Sequence, residues 1–106
     1  MVLEKLIKII QDRKNKDICQ SYTASLFKDG IEKCSKKFGE ESVELIIAAI
    51  QKENHNIKEE AADVIFHLLV LLEICKIDFE DILLVLEKRM TQSGLEEKMN
   101  RTNVKN

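Results

Sequence analysis

The segment AADVIFHLLVLL, Ala61 to Leu72, is apolar throughout except for Asp63 and His67. At that length and composition it forms a helix that is hydrophobic on every side, and such a helix has to be buried all round. A chain of 106 residues has too few other helices to surround one of its own. The expected solution is a second copy, with this helix central to a dimeric bundle. The rest of the sequence agrees with an all-α class: it has no proline, three glycines, one tyrosine and four phenylalanines. Strands call for β-branched and aromatic runs with frequent turn residues. The expected architecture is therefore a helical bundle of about four main helices, completed by dimerisation, with residues 1–106 forming one domain.

Residues 2–14 place Leu3, Leu6, Ile7 and Ile10 at helical spacing. A polar connector, NKDICQSY, leads to a short helical piece, TASLFKDG, that ends at Asp29-Gly30. A long helix is predicted from about Ile31 to Lys52. Asn56, with Glu59 three residues on, reads as a capping box opening the next helix, which runs to about Cys75. Asp78 caps a last helix, with Ile77 and Ile82 spaced as a hydrophobic staple. Residues 91–106 read as a polar tail with at most a short helix.

Several function classes are disfavoured. A net charge of −2 with interspersed signs gives no basic face for nucleic acid. The apolar run VIFHLLVLL is far short of the ~20 residues that span a bilayer, so no membrane partner is expected. The N-terminus MVLEKLIKII carries charges within its apolar pattern and lacks a small-residue cleavage site. Cys19, Cys34 and Cys75 are odd in number and widely spaced, which fits reduced thiols in a cytoplasmic protein. Cys34 and Cys75 read as small core hydrophobes.

The chemistry gathers in two acidic clusters. On a helical wheel Glu40, Glu41 and Glu44 share one ~100° arc, with Lys33 and Lys37 in the same arc and Val43, Ile46, Ile47 and Ile50 forming an apolar stripe beside it. On the following helix Glu60 and Asp63 stand at i, i+3, and His67 continues the line. Packed antiparallel, the two helices can bring these carboxylates to face one another. Like charges at helical spacing repel, and Asp63 is expected inside a buried helix, where an unpaired carboxylate is expensive. Two arrangements meet this: a structural ion-pair network such as Lys37–Glu41, or a divalent-metal site. Oxygen-only ligands point to Mg²⁺ or Mn²⁺ rather than zinc. An open carboxylate cage flanked by lysines suits hydrolysis of a phosphoester or phosphoanhydride.

The stretch EESVE, then 15 residues, then EAAD resembles the EExxE…ExxD signature of the all-α nucleoside triphosphate pyrophosphohydrolases, the MazG-like superfamily. SYTASLFKDG, KKFGEESVELIIAA, EEAADVIFHLLVLL, DFEDILLVLEKR and SGLEEKMNR extend the similarity over nearly the whole chain. Within the superfamily they most resemble the phosphoribosyl-ATP pyrophosphohydrolases of histidine biosynthesis. The resemblance implies Mg²⁺-dependent hydrolysis of phosphoribosyl-ATP between its α and β phosphates, giving phosphoribosyl-AMP and diphosphate, by a homodimer. Carried over by position, Glu41, Glu44, Glu60 and Asp63 would be metal ligands. Glu40, and Glu41 in a second role, would serve the catalytic step. Lys33 and Lys37 would face the polyphosphate, and Ser21 and Thr23 would bind phosphate or ribose.

Two rival readings stand beside this one. A housekeeping (d)NTP pyrophosphohydrolase would use the same acids with a different pocket, and a non-catalytic helical dimerisation module would carry them as decoration. His67 reads either as a satisfied core histidine or as a residue orienting Asp63.

Overall fold

The computed structural model describes residues 1–91. Four helices follow in order: α1 (Val2–Arg13), α2 (Tyr22–Gln51), α3 (Asn54–Ile74) and α4 (Phe79–Met90). No strand occurs among the described residues. The polar tail expected over residues 91–106 lies, from residue 92 on, outside the described residues.

The expected break at Asp29-Gly30 is present as a kink. Within α2, Gly30 alone leaves the helical region, with φ 88° and ψ −179°. That combination is open essentially to glycine alone. The break divides α2 into a short entry segment, capped by Ser21 whose Oγ accepts from the Ala24 amide at 3.2 Å, and the long helix that carries the acids.

Helices α2 and α3 form an antiparallel hairpin joined by Lys52 and Glu53. Lys52 closes α2 in the left-handed conformation (φ 57°), its amide donating to the carbonyls of Ala48 and Ala49. This tight reversal starts α3 at Asn54, earlier than the cap expected at Asn56. Asn56 sits instead within the first turn and donates from its side chain to the Glu53 carboxylate. Asp78 does stand at the N-cap of α4, without a side-chain capping bond.

The core lies at the α1 end of the hairpin. Ile10, Leu26, Cys34, Leu69 and Val70 are buried together, with Leu3, Leu6, Ile7, Phe27, Phe66, Leu71, Ile74 and Phe79 packed against them. Cys34 is buried as expected, its Sγ–H donating to the Leu26 carbonyl at 3.0 Å; loss of water pushes its thiol above the usual range. Cys75 is exposed rather than core, because it caps α3 where the chain turns away.

This chain by itself leaves two apolar faces uncovered. In the part of α2 after Gly30 the buried residues are Cys34, Glu41 and Ala48, a heptad-spaced row of small side chains with one acid. The stripe Val43, Ile46, Ile47 and Ile50 lies on the opposite side, 48–73% exposed. Helix α3 is likewise buried along one side only: His67, Leu69 and Val70 are buried, while Asp63 and Ile65 are exposed. Within Ala61–Leu72, α1 and α2 leave Ala62, Asp63 and Ile65 exposed and the other residues half-buried or buried. Helix α4 has no buried residue, and Leu84 is 61% exposed.

A Cβ at Gly30 would meet no heavy atom within 4 Å, so substitution there is opposed by backbone torsion alone. Gly30→Ala is expected to lower the unfolding free energy by about 1–3 kcal/mol, read from the shift in urea midpoint at unchanged m-value.

Candidate active site

The hairpin register follows from the tight Lys52–Glu53 turn. It brings the middle of α2 opposite the first half of α3, and there Glu41 meets Glu60 and Asp63. One carboxylate oxygen from each lies within 4.8 Å of those of the other two. Glu41 is buried, Glu60 half-buried and Asp63 exposed. Asp63 therefore does not sit in a sealed interior. It stands at the open rim of the cluster, because the side of α3 that carries it is not covered by this chain.

Glu60 bears most of the electrostatic load. Its Oε2 is sealed from solvent and has no hydrogen-bond partner among the described residues. Its carboxyl pKa is raised above the ordinary 4.5, first by loss of water, then by a hydrogen bond with Glu44, then by the charges of Glu44, Glu41 and Asp63. Glu44, exposed on α2, thus adjoins the cluster through Glu60.

One cation sits beside these acids. Lys37 Nζ is 3.3 Å from Glu41 Oε1, an i, i+4 pair. That hydrogen bond is the main reason the Lys37 ammonium holds its proton more tightly than usual, and Tyr22, Glu41 and Glu40 add to it. Glu40 and Lys33 are exposed on the same helix. Ser21 is engaged as the cap of α2, and Thr23 is buried in the first turn.

His67 is buried with both ring nitrogens occupied. Nδ1 lies 2.8 Å from the Asp63 carbonyl oxygen and Nε2 lies 3.2 Å from Tyr22 Oη. It therefore touches the backbone of Asp63, not its carboxylate. Tyr22 is the residue that reading the SYTA segment passed over in favour of its hydroxyl neighbours. Its signal was a single aromatic at the start of a helix, which by itself does not reveal a partner 45 residues away.

All the converging donors are carboxylate oxygens, three are brought together, and one buried oxygen has no partner. That set fits a hard divalent cation of the Mg²⁺ or Mn²⁺ type. An apolar recess of about 450 Å³, lined by Leu3, Ile7, Leu69, Leu72, Phe79 and Leu83 among others, lies at the other end of α3 and contains none of these acids.

A family model described as phosphoribosyl-ATP pyrophosphohydrolase matches residues 3–90. The chain belongs to the phosphoribosyl-ATP pyrophosphohydrolase family. It is 48% identical over 101 residues to the phosphoribosyl-ATP pyrophosphatase of Roseobacter denitrificans, covering 95% of this chain and 96% of the relative. The corresponding protein of Cereibacter sphaeroides is 45% identical over 100 residues, covering 94% and 97%. That of Rhizobium etli is 44% identical over 99 residues, covering 93% and 92%. The matched span of this pyrophosphohydrolase family member contains all four described helices and every acid of the cluster. No described helix is long and apolar enough to cross a membrane.

The raised Glu60 pKa has a stability consequence. Between its ordinary and its folded-state value the folded protein binds the extra proton, so this group's contribution to metal-free stability is fully present below about pH 4.5 and is lost as pH rises through the folded-state value. This one group then opposes folding at neutral pH. Metal-free Glu60→Gln is expected to melt above wild type at pH 7, with the gap closing on acidification. Calorimetry in chelator across that pH range reads both effects.

Proposed function

We propose that this protein hydrolyses phosphoribosyl-ATP to phosphoribosyl-AMP and diphosphate, the second step of histidine biosynthesis. Membership of the family supports the reaction. The observation that carries the site is the convergence of Glu41, Glu60 and Asp63 within 4.8 Å. With Glu44 beside Glu60, these are the four residues proposed to hold Mg²⁺, with Mn²⁺ a workable substitute. The bound cation supplies charge neutralisation on the diphosphate and lowers the pKa of water.

The chain's own residues have separate tasks. Lys37 is held at the cluster by Glu41, and with Lys33 it is proposed to meet the polyphosphate oxygens. Ser21 accepts the Ala24 amide, which leaves its hydroxyl hydrogen to donate to substrate. The start of α2 adds unpaired backbone amides suited to an anion; Thr23, buried in that turn, is proposed to shape it for the phosphate or ribose. Glu40 and Glu41 are proposed to position the attacking water and take its proton.

The same reading includes a homodimer acting in the cytoplasm. The exposed apolar stripe Val43, Ile46, Ile47 and Ile50 on α2 supports it, since an apolar stripe of this kind marks an interface; Ile65 on α3 and Leu84 on α4 are exposed as well. Light scattering at micromolar concentration is expected to give about twice the 12.3 kDa chain mass. A stable folded monomer would refute the dimer.

Turnover compared side by side on phosphoribosyl-ATP and a panel of (d)NTPs tests the substrate. Phosphoribosyl-ATP is expected to have the higher kcat/KM, and a preference for dNTPs would favour the housekeeping alternative. Glu44→Gln and Asp63→Asn each remove a charge with little change of shape. Each is expected to lower turnover by about 100-fold or more while far-ultraviolet circular dichroism stays helical. Activity within a few-fold of wild type in both variants would sink the metal-site assignment.

A further inference from the structure

We propose that Tyr22 and His67 are positioning residues for the carboxylate cluster: a hydrogen-bonded tie by which the entry turn of α2 fixes the Asp63 turn of α3 for cation uptake. The inference rests on the metal-binding reading above and adds two residues that contribute no ligand to it.

The polarity of the tie follows from its ends. The Asp63 carbonyl oxygen can only accept, so His67 Nδ1 carries the hydrogen and donates across 2.8 Å. In the neutral ring Nε2 is then an acceptor, and the Tyr22 hydroxyl donates to it across 3.2 Å. Each hydrogen bond thus selects the partner state that the other requires. Ring packing holds the geometry. The His67 ring stands edge-on to Phe66 at 5.1 Å and 90°, and to Tyr22 at 6.2 Å and 78°. Tyr22 lies nearly parallel to Phe66 at 6.3 Å. His67 is 6% and Tyr22 55% exposed, so the tie is shielded from water at its histidine end.

The location gives the tie its purpose. After Gly30, α2 buries Cys34, Glu41 and Ala48, small or charged side chains, so the register set by the Lys52–Glu53 turn gains little from packing around the acids. One residue of slide moves a helix by ~1.5 Å, whereas Mg²⁺ accepts oxygen ligands only near ~2.0–2.1 Å. A tie ending on the backbone of Asp63 itself, one turn from Glu60, removes that freedom. Its other end stands beside the Lys37–Glu41 pair: after loss of water, which raises it, the charges of Lys37, Glu41 and Asp63 act on the Tyr22 hydroxyl.

Calorimetric Mg²⁺ titration of the substrate-free protein tests the inference, with the melting temperature in chelator as the control for folding. Tyr22→Phe keeps the ring on Phe66 and removes only the hydroxyl. It is expected to weaken Mg²⁺ binding about three- to tenfold, less than the ~10–100-fold typical of partners bonded directly to a ligand group. The Mg²⁺ midpoint for turnover is expected to move by the same factor, with little change in metal-free melting. His67→Gln, which keeps one donor and one acceptor, is expected to bind Mg²⁺ more tightly than His67→Leu, which keeps neither. Wild-type Mg²⁺ affinity in Tyr22→Phe overturns this inference alone, whatever happens to its melting temperature. Wild-type protein that takes up no Mg²⁺ overturns the metal reading and this inference with it.

Discussion

Mutual repulsion among Glu41, Glu60 and Asp63 is the constraint around which the hairpin is organised. Three carboxylates from two helices are held within 4.8 Å, with a fourth, Glu44, against Glu60. Such a group opposes the helix pairing that creates it. Among the described residues its buried oxygen on Glu60 has no donor, and one lysine, Lys37, is paired with the group at close range. A divalent cation would relieve both defects at once, by supplying positive charge and by accepting the unshared lone pairs. The structural ion-pair reading accounts for Glu41 through Lys37 but leaves Glu60 and Asp63 without a cation partner among the described contacts.

The remaining architecture serves to hold that repulsive group in place. Lys52 takes a left-handed conformation to make the reversal between α2 and α3 tight, and the short link sets the register that opposes Glu41 to Asp63. Gly30 redirects the entry segment of α2 so that Leu26 joins the core while Tyr22 reaches His67. The apolar core itself lies to one side, at α1 and the second half of α3. Stability and chemistry are thus separated along the hairpin, and the rim of the acid cluster remains open where Asp63 is exposed.

Much of this was legible in the sequence for identifiable reasons. Asp29-Gly30 announced the break because glycine is the residue that tolerates such torsions. Glu41 with Glu60 and Asp63 announced a facing pair because helical spacing and a short connector leave little freedom. The direction of the apolar faces was not legible. Val43, Ile46, Ile47 and Ile50 form a clean stripe, but hydrophobicity does not say whether a stripe packs on its own chain or on another surface. The same ambiguity made Asp63 read as buried when the single chain leaves it exposed. The turn at Lys52 and the Tyr22–His67 contact were hidden because neither lysine in a left-handed cap nor a lone tyrosine carries a positional signature.

The central claim is that a divalent cation completes this cluster in the folded state. A melting series in Mg²⁺ at constant ionic strength, with Na⁺ making up the difference, separates specific binding from screening. Because the unfolded chain disperses these carboxylates, binding adds RT ln(1 + [L]/Kd), about 2.7 kcal/mol at a hundredfold excess over Kd. For wild type that predicts a rise of several degrees, absent in Asp63→Asn. Identical responses from the two proteins would contradict the account and leave the acids as surface charge.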